Sequence, residues 1–87
     1  MDKVALLSLS MDLKRIVQSI QRGSFENAER FTKEAKSYLK KPSTIKNKYL
    51  IDLLKKIEKS LDSKNDLKKA EDCLMYSVLL QNQALSS

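Results

Sequence analysis

The chain is predicted to be all-α, an antiparallel up-down bundle of four helices, on three observations. One Gly and one Pro in 87 residues leave little material for tight turns or strand bulges. Leu, Lys, Glu, Ala, Ser and Ile dominate, and most of these tolerate or favour helix. Apolar residues recur at three- and four-residue spacing in segments separated by short polar turns. Short links make consecutive helices antiparallel neighbours. A three-helix bundle with a frayed or partner-bound end is the alternative arrangement.

The first helix is expected from about Lys3 to Gln21, with Asp2 as its cap. Leu6, Leu9, Leu13, Ile16 and Ile20 form its seam, and Val4, Leu7 and Met11 add a second apolar strip. Arg22-Gly23 ends it, Gly supplying a left-handed residue just past the helix, and Ser24 caps the next. The second helix, about Phe25 to Lys40, presents Phe25, Ala28, Phe31, Ala35, Tyr38 and Leu39 on one face. Lys41-Pro42-Ser43-Thr44 is the firmest break, because Pro42 disfavours helix at Lys41. Ser43 or Thr44 then caps a third helix, Ile45 to Leu61, with Leu50, Leu53, Leu54, Ile57 and Leu61 inward.

After a polar turn, Asp66 caps a fourth helix running to about Leu85. Its first turns carry Lys68, Lys69, Glu71 and Asp72, but from Cys73 to Leu80 only Ser77 interrupts the apolar run. A helix apolar all round is normally buried all round, and a chain of this size has little room to bury one. Ile16 to Ile20 aligns with Ile57 to Leu61, and Ser24 to Glu29 with Asp66 to Glu71, so the single expected domain, residues 1–87, is a candidate pair of tandem hairpins; the plainer account is that any two amphipathic hairpins look alike at this level.

Composition excludes several chemistries. There is no histidine, so triads and metal sites that need one are ruled out, and one cysteine cannot build a multi-cysteine zinc site. One glycine cannot make a Gly-rich phosphate loop. Glu26 and Glu29 each precede a basic residue by four positions, which is a solvated helix pattern rather than a catalytic pair. The chain is therefore read as non-enzymatic, with no catalytic residue, no metal site, no cofactor and no small-molecule substrate. The longest apolar run falls far short of the roughly 20 residues that span a bilayer, so no membrane role is expected. The Met1 to Asp12 stretch, bracketed by Asp2 and Asp12, is expected to be helix rather than a signal peptide. A lone Cys73 inside an apolar helix fits a reducing cytoplasm and a packed, unreactive thiol.

Two surfaces remain as candidates for function. The apolar excess of the fourth helix predicts a protein interface. Met75 and Leu79 form a stripe apart from an Ala70-Leu74-Ser77-Val78 seam, and with Tyr76 and Leu80 they are the candidate contact residues. Val4, Leu7 and Met11 of the first helix complete that surface, for a second copy of the chain or a helical protein partner. A fourth helix lying centrally in an irregular bundle would account for the same residues without any partner.

The second surface is basic. Between Lys33 and Lys59 nine lysines face three acids, which holds the whole formal net charge of +6. Lys33, Lys36, Lys40, Lys41, Lys46, Lys48, Lys55 and Lys59, with Tyr49 for stacking, form a candidate face for nucleic acid bound through its phosphates. A solubilising surface is the plainer account of the same lysines.

The segment Lys14 to Leu39, with its Ile-rich helix, R-G-x-F-x-x-A-E and following E-A, resembles the hairpin near the start of archaeal translin-like proteins. The resemblance covers under a third of the chain. It implies an all-α, oligomeric protein that binds single-stranded nucleic acid. No functional residue of that family maps onto this chain beyond the hairpin.

Overall fold

A computed structural model describes residues 3–40 and 47–86, and these form four helices: α1 (Lys3–Gln21), α2 (Phe25–Lys40), α3 (Lys48–Leu61) and α4 (Asp66–Ser86). Among the described residues there is no strand, so the chain is all-α. The expected Asp2 cap and the Lys41 to Lys46 link, with Pro42, lie outside the described residues.

Each described boundary has a local cause. Gly23 at φ +74° closes α1. Its N–H donates to the Ile20 carbonyl at 3.1 Å while the Ser24 N–H donates to the Ser19 carbonyl at 2.8 Å, the paired bonds of a Schellman motif. The third helix starts later than expected. Asn47 is extended, and its side-chain oxygen accepts from the Leu50 N–H, so Asn47 rather than Ser43 or Thr44 caps α3. Asn65 likewise caps α4 by accepting from the Lys68 N–H at 3.1 Å, which leaves Asp66 inside the first turn. There its carboxylate still complements the positive end of the helix.

Helix α1 is the hub, packing most extensively on α4 and next on α2, while α3 bridges α4 and α2. Leu6, Leu9, Leu13, Ile16 and Val17 of α1 are buried, and Ile20 is half-buried against them. They meet Ala35 of α2, then Leu50, Leu53, Ile57 and Leu61 of α3. Phe25 departs from its expected inward place and is 55% exposed, because α2 turns Ala28, Thr32 and Ala35 to the core. Buried Thr32 satisfies its hydroxyl by donating to the Ala28 carbonyl at 2.7 Å.

The inward face of α4 is Ala70, Cys73, Ser77, Leu80 and Ala84, spaced 3, 4, 3 and 4. Four of these five side chains are small. Small residues let helix backbones approach closely, and here the Ser10 hydroxyl of α1 donates directly to the Ser77 carbonyl of α4 at 2.8 Å. Val17, Ile20 and Gln21 at the end of α1 share a groove with Asp66, Leu67, Ala70 and Leu74 at the start of α4. The expected Ala70-Leu74-Ser77-Val78 seam is corrected accordingly: Ala70 and Ser77 are buried, whereas Leu74 and Val78 are half exposed.

Candidate association interface

With Leu80 and four small side chains inward, four large apolar residues of α4 face outward along one side. Leu67 is 71% exposed, Leu74 51%, Val78 48% and Leu85 60%. Together with Glu71 and Gln81 they occupy one helix stripe at successive spacings of 4, 3, 4, 3 and 4. On α1, Val4 is 70% and Met11 52% exposed, and Leu7 is half-buried between them. That strip continues, three residues past Met11, into Lys14.

A single hydrogen bond fixes how the strips relate. The Lys14 ammonium of α1 donates to the Gln81 Oε1 of α4 at 2.9 Å. Each residue belongs to its own helix's strip, so the two strips lie side by side along the α1–α4 junction. Phe25 adds to one end, lining the same groove as Leu67 and Leu74. The result is one apolar face across two helices, on the order of 600 Å² from its six most exposed side chains, at the upper end of what monomers usually show.

The structure divides the residues expected at this interface. Val4, Leu7 and Met11 lie on the face. Met75, Tyr76 and Leu79 lie on the other flank of α4, where they line a groove of about 320 Å³ with Tyr49, Asp52, Leu53 and Lys56 of α3. Leu80 is fully buried, at 0% exposure, and so is closed to any partner. Leu67, Leu74, Val78 and Leu85 were missed as surface. A usable signal was present: alternative 3-4 seams run along α4, and the one containing Ala70, Ser77 and Ala84 is the one that permits close packing.

Several of the described lysines are paired or interleaved with acids. Lys33 lies 3.9 Å from Glu29, and the Lys36 ammonium is bonded to the Asp62 carboxylate. That bond holds the Asp62 carboxyl below its ordinary value. Lys36 and Lys40 share a recess with Glu58 and Asp62, so acids are interleaved there. Lys48, Lys55 and Lys59 are exposed along the outer side of α3, and Tyr49 is 49% exposed beside them. Lys41 and Lys46 lie outside the described residues. A groove of about 530 Å³ between α3 and α4 mixes Lys56, Lys59 and Lys68 with Asp62 and Asp72.

Two buried titratable groups complete the electrostatics. Asp12 of α1 is 4% exposed and faces Glu34 of α2, with the Arg15 guanidinium 3.5 Å away. Burial first, then the Glu34 charge and a hydrogen bond with Glu34, push its carboxyl up to about 6, against the opposing pull of Arg15. Cys73 is 1% exposed, and burial pushes its thiol up to about 11, which disfavours the reactive thiolate. Among the described residues no group of three or more His, Cys, Asp or Glu could hold a metal ion, and no helix is long and apolar enough to cross a membrane.

No protein family, curated protein or solved structure matches this chain.

Proposed function

We propose that this is a small non-enzymatic, cytoplasmic up-down helical bundle that works by protein–protein association, through the apolar face shared by α1 and α4. The observation that carries the reading is the placement of large apolar side chains. Helix α4 keeps small residues inside and puts Leu67, Leu74, Val78 and Leu85 in water beside Val4 and Met11. Steric fit explains why small residues face α1, but it leaves these large side chains without apolar cover, and a partner that covers the face returns the buried area, at roughly 25 cal/mol per Å². The bundle arrangement is supported by the helix pairs that pack, α1 with α2 and α4, and α3 with α2 and α4.

Val78→Asp sets a charge in the middle of the face without touching the core. The expected result is an assembly in wild-type solutions, seen by light scattering, that Val78→Asp weakens by at least about tenfold. A wild-type chain that stays monomeric at high concentration would overturn the reading.

A second reading, a non-sequence-specific nucleic-acid accessory protein, is favoured by the exposed Lys48, Lys55 and Lys59 row of α3 with Tyr49 beside it. It predicts oligonucleotide affinity that falls steeply with salt and with Lys48, Lys55 and Lys59 changed to Glu. Absence of binding to single-stranded or duplex oligonucleotides at low salt would remove it.

A further inference from the structure

The six positions of the α4 stripe, Leu67, Glu71, Leu74, Val78, Gln81 and Leu85, are symmetric about residue 76. Leu67 mirrors Leu85, Leu74 mirrors Val78, and Glu71 mirrors Gln81. Any regular 3-4 seam has symmetric spacing, but the residue types need not match. Here each apolar position mirrors an apolar one, and the only charged residue mirrors the only amide. The position that mirrors Glu71 is thus already supplied with a cation, because Gln81 holds the Lys14 ammonium at 2.9 Å.

Resting on the association reading above, we infer that the partner is a second copy of this chain. Its α4 lies antiparallel on the first across a two-fold axis at the level of Tyr76. This is the isologous arrangement in which one surface is complementary to itself. Leu74 of each copy meets Val78 of the other. Leu67, with Phe25 at its side, meets Leu85 of the second copy, which lies at the Val4 end of the α1–α4 face. Glu71 meets the Gln81–Lys14 pair of the second copy at both ends of the seam, so each dimer carries two such polar contacts. The exposed side chains of the face come to the same order as the roughly 800 Å² per partner of a standard stable interface. A different partner protein would impose no mirror symmetry on the stripe.

Charge exchange tests the register. Glu71 is exposed, so Glu71→Lys leaves the fold intact, which a helical circular dichroism spectrum and melt verify. In the proposed dimer the new lysine faces Lys14 of the second copy, and sedimentation equilibrium is expected to show about tenfold weaker association. Adding Gln81→Glu in the same chain places a carboxylate opposite each new lysine and is expected to restore most of the lost affinity at low salt. If wild type dimerises but Glu71→Lys has no effect, or Gln81→Glu gives no rescue, the antiparallel register is overturned and association by another geometry stands. If wild type is monomeric at high concentration, the association reading fails and takes this inference with it.

Discussion

Ser77→Leu is expected to remove most of the stability of this fold, and Leu74→Ser almost none of the monomer's. Both residues lie in the apolar half of α4, three positions apart, and composition alone would rank the second change as the harsher. The structure reverses the order. Ser77 is fully buried at the α1–α4 contact, with its carbonyl accepting from Ser10 at 2.8 Å and its own hydroxyl donating to the Leu74 carbonyl at 2.7 Å. A leucine there must push α1 away from α4 and thereby loosen the largest helix pair in the protein. Overpacking of this kind costs about 3 kcal/mol, more than half of the roughly 5 kcal/mol at the low end of native stability. Leu74 is half exposed, and surface changes usually stay within about 0.5 kcal/mol. Urea unfolding followed by circular dichroism, at concentrations low enough to keep the chain monomeric, measures both. A Ser77→Leu variant as stable as wild type, or a Leu74→Ser variant as damaged as Ser77→Leu, would contradict this assignment of the α4 faces.

The same residues show where the sequence was informative. On α1 and α3 the inward leucines and isoleucines form one dominant seam, so Leu6, Leu9, Leu13 and Ile16, and Leu50, Leu53, Ile57 and Leu61, could be placed inside from spacing alone. Helix α4 offers no such asymmetry, because apolar residues stand on nearly every side of it from Cys73 to Leu80. Its orientation is decided by steric fit against α1, a three-dimensional property that prefers Ala, Ser and Cys at the contact and leaves the larger side chains outside. The expected contact residues consequently divide: Val4, Leu7 and Met11 lie on the α1 strip, Met75, Tyr76 and Leu79 on the α3 side of α4, and Leu80 in the core. Caps were ambiguous for a related reason. Asn47 and Asn65 each stand near other good capping residues, and only the observed backbone decides which side chain reaches an N–H. Asp12 was illegible altogether, since a lone aspartate beside a seam reads as solvent-facing until a second helix closes over it.

That buried aspartate is expected to favour folding more in mild acid than at neutral pH, and Asp12→Asn to abolish most of the difference. Asp12 is 4% exposed between α1 and α2, facing Glu34 across the junction and Arg15 on its own helix. Its carboxyl ordinarily titrates at 3.8 and is pushed up to about 6 in the fold, first by burial and then by Glu34. The folded state therefore holds this proton more tightly than the unfolded chain. Between about pH 4 and 6 folding takes up protons, so the stabilisation is fully present below the lower value and is lost as pH rises through the upper one. A shift of that size corresponds to on the order of 3 kcal/mol for a fully shielded group, and the nearby half-exposed Arg15 and water reduce it to about 1–2 kcal/mol. Asp62 works in the opposite sense, because its bond to Lys36 favours the charged form, but it is exposed and acts at lower pH. Asparagine keeps the shape of Asp12 and offers an N–H to Glu34 without the second negative charge. Urea unfolding of both proteins at pH 5 and pH 7 is the measurement. Wild type is expected to lose stability on going to pH 7, while Asp12→Asn is more stable than wild type at pH 7 and changes less between the two. Equal pH dependence in the two proteins would show that the Asp12–Glu34 pair does not control this titration.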